Sequence, residues 1–144
     1  MRYREVIRMP LWLSLLIYFF LLSLVLSVWA ALGNFAALLV LLVCTGLQLL
    51  LYLKTALKIE LVGEVLNIGR AHIELAYISE CIALSNDELR KLRTRDADPA
   101  AYLDIRFWCN TGVKIVINDV RDRTPYWLIS TSQAEKLAQQ ITKS

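Results

Sequence analysis

The stretch Met9–Leu53, MPLWLSLLIYFFLLSLVLSVWAALGNFAALLVLLVCTGLQLLLYL, contains no Asp, Glu, Lys, Arg or His, and its reading decides the fold. Its forty-five residues are about twice the roughly 20 that cross a bilayer core as a helix, so the run divides into two spans. Gly33-Asn34 supplies a turn signal at its middle. Leu11 to Leu32 is then one helix and Phe35 to Leu53 the other, and residues 11–53 form a tight transmembrane hairpin. Ser23 and Ser27 on one helix, with Ala36, Ala37, Thr45 and Gly46 on the other, offer small surfaces for close approach. Gln48 reads as a hydrogen-bonding group within the hairpin or toward another copy. A transport role would call for ionisable groups, and the run holds none.

Working outward, Arg2, Arg4 and Arg8 precede the first span, Lys54 and Lys58 follow the second, and the turn is uncharged. Cations concentrate on the cytoplasmic side of spans, so residues 1–10 are expected as a cytosolic tail and both termini as cytoplasmic. Trp12, Trp29 and Tyr52 suit anchoring at headgroup level, with lipid-facing packing as the plainer alternative, and Pro10 fits a first helical turn. Val28-Trp29-Ala30 loosely resembles a signal cleavage site, but the apolar stretch before it is too long and a second span follows at once. Cys44 lies too deep in the second span to serve as a lipoprotein site. Mean hydropathy is +0.49 over 144 residues, which excludes disorder and a disulfide-stapled secreted module.

Residues 54–144 carry 13 basic and 12 acidic side chains, a net +1, so nothing in their charge points to a nucleic-acid partner. Their pattern is mostly period two, the alternation of a half-buried strand. Residues 58–62 alternate, Gly63-Glu64 turns, 65–68 runs into Gly69-Arg70, 72–75 alternates again, and 78–84 is a fourth apolar run. Ser85-Asn86-Asp87-Glu88 has the form of a capping box opening a short helix with Leu89 and Leu92 on one side. Residues 103–109 and 113–118 read as strands joined by an Asn110-Thr111-Gly112 hairpin, and 126–131 as a seventh strand. Ser132-Gln133-Ala134-Glu135 repeats the capping pattern before an amphipathic helix bearing Leu137, Ala138 and Ile141. The expectation is a cytosolic α+β domain, a pleckstrin-homology-like barrel of seven strands closed by a C-terminal helix. An open α+β sheet built from the same elements is the rival.

The whole chain resembles the bacterial membrane proteins grouped as domain of unknown function 3093. The resemblance rests on Tyr3-Arg4-Glu5 with Pro10, on Val62-Gly63 to Gly69-Arg70-Ala71, and on residues 96–102. It continues through Trp108, Thr111 and Val113, and is most specific in residues 119–131, with Thr124-Pro125-Tyr126-Trp127-Leu128 and Ser130-Thr131 at its centre. Members continue that core with an Arg and a Pro, where this chain has Ser132 and Ala134. The family implies a two-span protein of the bacterial inner membrane with a cytosolic domain, and implies no activity.

Catalysis needs convergent groups with tuned protonation, and the domain offers one histidine, two cysteines and scattered carboxylates. His72 and Glu74 share a strand face. Cys44, Cys81 and Cys109 make no CxxC pair and read as reduced, buried small residues. No phosphate loop or nucleophile elbow is present, so no catalytic, cofactor-binding or metal-binding residue is assigned. Arg90, Lys91, Arg93 and Arg95 form a basic cluster that either docks on anionic lipid or solvates a helix end. Tyr126 and Trp127 alternate along a strand, so at most one should fill the core and the other could meet a partner or lipid. The expected function is a non-enzymatic membrane-tethered interaction module, with the bilayer and a protein partner or second copy as its contacts. The alternative is an enzyme or ligand-binding subunit acting on a membrane-soluble small molecule, for which His72, Glu74, Asp119 and Asp122 would gather around a cavity.

Overall fold

The computed structural model describes residues 3–143 and divides into two compact units, residues 8–56 and residues 1–7 with 57–144. Arg2, one of the flanking cations, lies outside the described residues.

The first unit is the hairpin. Helix α1 (Leu11–Leu32) and helix α2 (Asn34–Lys54) are both long and apolar enough to cross a membrane. Gly33 separates them at a φ of 86°, a left-handed value that glycine adopts without strain. Gln48 bridges the pair, its Nε2 donating to the Ser14 carbonyl at 3.1 Å and to Ser14 Oγ at 2.7 Å. Tyr18 and Thr45 hydroxyls meet at 3.3 Å. Polar contacts of this kind hold apolar helices together where burial from water does not.

The second unit begins with a correction. Residues 3–7 are not a tail but strand β1 (Tyr3–Ile7), with Tyr3, Glu5 and Ile7 turned inward. β1 pairs antiparallel with β2 (Leu57–Val62), Ile7 standing opposite Leu57 and Tyr3 opposite Leu61. The hairpin is therefore an insertion between two neighbouring strands of one sheet. Strands β3 (Val65–Ile68) and β4 (Ala71–Glu74) complete the order β1-β2-β3-β4. Both tight turns carry glycine first, Gly63 at φ 62° and Gly69 at φ 59°, as two-residue hairpins with a positive first φ require.

After a short 3₁₀ turn (Leu75–Tyr77) the chain builds a second sheet from β5 (Ile78–Leu84), β6 (Tyr102–Asp104), β7 (Gly112–Ile117) and β8 (Tyr126–Ser130), in the order β5-β7-β8-β6. Among the described residues no ladder joins the two sheets, so they do not make a closed barrel, and eight strands are present where seven were expected. The run 103–109 shortens to β6, which lies parallel to β8, and residues 105–111 form a loop rather than a strand and hairpin.

Leu57, Ile59, Leu61, Leu66 and Ile68 from one sheet and Val113, Ile115 and Ile129 from the other are fully or almost fully buried in one core, which α4 (Ala134–Thr142) completes with Leu137 and Ile141. Each such Leu or Ile is worth about 1.5–3 kcal/mol of burial. Helix α3 (Asn86–Arg93) covers part of the second sheet's outer face, where Leu89 packs with Leu84, Tyr126 and Leu128. Its capping box forms as the sequence implied, Ser85 and Glu88 each satisfying the other's backbone amide. The second capping box does not: Gln133 is the N-cap of α4 and makes no side-chain cap, because the Ser132 hydroxyl is engaged elsewhere.

Candidate functional site

Of the carboxylates in the domain, Glu5 stands in the most constrained surroundings. It alternates inward on β1 between Tyr3 and Ile7, is 9% exposed, and meets the end of β8 and the start of α4. Its Oε2 accepts from Tyr3 Oη at 2.7 Å and from Thr131 Oγ1 at 2.5 Å. Its Oε1 accepts from the Ser132 amide at 3.0 Å and from the Ser132 hydroxyl. A carboxylate has about four lone-pair sites, and here each oxygen receives two donors. Thr131 Oγ1 also accepts from the Gln133 amide at 3.1 Å, and the Thr131 carbonyl accepts from Thr111 Oγ1 at 2.6 Å.

Burial by itself would raise the Glu5 pKa, but the hydrogen bonds from Ser132, Thr131 and Tyr3 together outweigh it and hold the carboxyl below its ordinary value. Tyr3 moves the other way, pushed up by burial and by its bond to the Glu5 carboxylate. The arrangement is a latch: a charged carboxylate neutralised by dipoles, tying the first strand to the Ser130-Thr131-Ser132 segment at the far end of the sequence. Sequence reading placed Tyr3-Arg4-Glu5 and Ser130-Thr131 among the residues carrying the family resemblance without joining them. The signal that could have done so was the acidic residue at an inward position of an alternating pentapeptide.

The expected partner surface changes. Tyr126 and Trp127 are 8% and 6% exposed, so both are core residues, and neither offers the surface contact the alternation suggested. The reason is that β8 is buried at every position: Trp127 faces the inter-sheet core, ringed with Tyr102 at 5.2 Å, while Tyr126 lies under α3 with Lys114 Nζ 4.6 Å from its ring. Arg90, Lys91, Arg93 and Arg95 are all exposed. Trp12 and Trp29 are exposed and Tyr52 half-buried, and Trp29 Nε1 donates to Asn34 Oδ1 at 2.6 Å, clasping the Gly33 turn.

His72 stands opposite Asn67 on the outer face of the first sheet, and with Glu74 is exposed. None of His72, Glu74, Asp119 and Asp122 lines either of two clefts in the domain. The first, about 600 Å³ beside β5 and the end of α4, contains Cys81, whose thiol burial pushes up to about 12 and so keeps protonated. The second, about 730 Å³ at the start of α4, is lined by Ser85, Glu88 and Ser132, whose polar groups already serve the α3 cap and the Glu5 latch. Among the described residues no group of three His, Cys, Asp or Glu side chains could hold a metal ion.

The family described as "Protein of unknown function (DUF3093)" matches residues 2–141, nearly the whole sequence. The chain belongs to that family. No curated protein and no solved structure matches it. Membership in DUF3093 thus spans the hairpin, the latch and both sheets, and brings with it no assigned chemistry.

Proposed function

We propose that the chain is a two-span inner-membrane protein whose domain lies in the cytoplasm and acts as a non-enzymatic interaction or assembly module. The observation that carries this reading is the β1–β2 ladder, with Ile7 in register with Leu57. A hairpin inserted between two paired strands would return the chain to the side it left, and the flanking cations Arg4, Arg8, Lys54 and Lys58 favour the cytoplasm for that side. Tethering raises the domain's effective concentration toward membrane partners. The saturated acceptor sites of Glu5 favour a structural carboxylate over a catalytic one, and burial, which raises the Cys81 thiol pKa, disfavours a thiolate in its cleft. With Tyr126 and Trp127 in the core, the α3 cations are the remaining surface for a protein partner or a second copy.

Labelling single cysteines in intact cells with an impermeant maleimide tests the placement. A probe at Phe35, in the first turn of α2 next to Gly33, should react, while probes at Val120 and Lys143 should react only after permeabilisation. Reaction at Val120 or Lys143 from outside overturns the orientation. Crosslinking in native membranes, comparing wild type with an Arg90→Glu/Arg93→Glu variant at matched abundance, tests the module. Loss of a crosslinked species is expected, and an unchanged pattern removes α3 as the binding face.

A further inference from the structure

Phe107 is 63% exposed and is the exposed aromatic residue of the domain among the described residues. It sits in the loop after β6, edge-on to Trp108 with ring centres 5.0 Å apart, while Trp108 itself packs against the inter-sheet core. The loop has a definite place. A Cβ at Gly69 would meet Asp104 Oδ2 at 3.4 Å and Leu57 Cδ1 at 3.6 Å, and Asp104 holds Arg106 at 2.6 Å. Asp104, three residues before Phe107, therefore stands at the end of the first sheet that holds Ile7 and Leu57, and the Arg106 amide next along donates to Ser130 Oγ at 2.8 Å.

Charge on that sheet is divided by end. The turn beside Leu57 carries Arg70, with Lys58 adjacent through the Gly69 amide bond to its carbonyl, and both side chains are exposed. The opposite turn carries Glu64, with Glu74 beside it, both exposed. The chain between Lys54 at the end of α2 and Leu57 at the start of β2 is three residue steps, at most about 11 Å of backbone.

We infer that the Phe107–Trp108 loop docks on the lipid headgroup region of the leaflet beside the hairpin, with Arg70 and Lys58 facing anionic lipid. This rests on the membrane reading above. Phe107 supplies an apolar side chain at interfacial depth, Trp108 fixes its backbone to the core, and the acidic end of the sheet is held away from the surface.

The test uses the full chain with its three native cysteines replaced by alanine, in liposomes of phosphatidylcholine and phosphatidylglycerol. Nitroxides are placed singly at Leu15, Asn110 and Val120. The Leu15 label should be accessible to oxygen and shielded from an aqueous nickel chelate. The Asn110 label should be several-fold less accessible to the chelate than the Val120 label, and Phe107→Asp should abolish that protection. If Asn110 is as water-accessible as Val120 while Leu15 is shielded, docking is wrong and the membrane reading stands. Water access at Leu15 overturns both, and protection at Asn110 that survives Phe107→Asp removes Phe107 as the anchor.

Discussion

The two sheets of the domain face each other across one core yet are built on different rules. In β1-β2-β3-β4 the inner positions are apolar apart from Glu5, and the outer ones carry Arg4, Lys58, Glu60 and His72, so the strands alternate cleanly. In the second sheet α3 covers part of the other face, and β8 is buried at all five positions. Alternation reports a face toward water, and its loss reports a second covering layer. The same substitution should therefore cost far more on β8 than at an outer position of the first sheet.

The largest effect expected is from Trp127→Ala. Truncating a buried tryptophan costs about 3–5 kcal/mol, read as a fall in the urea midpoint of the purified protein. A loss under about 0.5 kcal/mol would return Trp127 to the surface and undo the contrast between the sheets. Gly112→Ala comes next. A Cβ there would stand 2.5 Å from the Ile129 carbonyl oxygen and 3.1 Å from Leu89 Cδ1, and relieving that overlap should cost about 3 kcal/mol.

Glu5→Gln should cost about 2 kcal/mol, since it replaces an acceptor of charge-assisted bonds by an amide that meets donors with a donor. It also carries a pH signature. The Glu5 carboxyl lies below its ordinary 4.5 when folded, so its stabilisation is in place above that value and is lost as pH falls through the folded pKa. The wild type should lose stability on acidification more steeply than Glu5→Gln, and parallel acid limbs would show that the latch is not what Glu5 supplies. His72→Ala, on the outer face of the first sheet, should change the midpoint by less than about 0.5 kcal/mol. A larger loss would mean that the outer face is covered.

The hairpin, the first capping box and both glycine turns were legible because each depends on residues close together in sequence. Gly33 at the middle of the apolar run and Ser85 three residues before Glu88 state their own structure. Strand β1 is hidden in the sequence because five residues are too few to declare a strand and their partners lie beyond the hairpin, so Arg4 and Arg8 show there only as cations flanking an apolar run. The second capping box misled for a related reason. Ser132 has the right neighbours for a cap, but Glu5 competes for its hydroxyl and wins with a charge. Tyr126 and Trp127 were divided between faces correctly, yet alternation could not reveal that α3 and the first sheet cover both. The basic cluster was legible only as a cluster, since sequence does not say which end of the domain it occupies.

The insertion of the hairpin between β1 and β2 also sets an order of events during synthesis. β1 leaves the ribosome before either apolar helix, and its partner β2 follows only after both. Until Leu57–Val62 has emerged, β1 has no strand to join. Glu5 waits longer still, for Thr131 and Ser132, which follow the last strand. Completion of the sheet thus requires that both apolar helices have already been synthesised, and a chain stopped before Thr131 would keep β1 paired but its carboxylate unlatched.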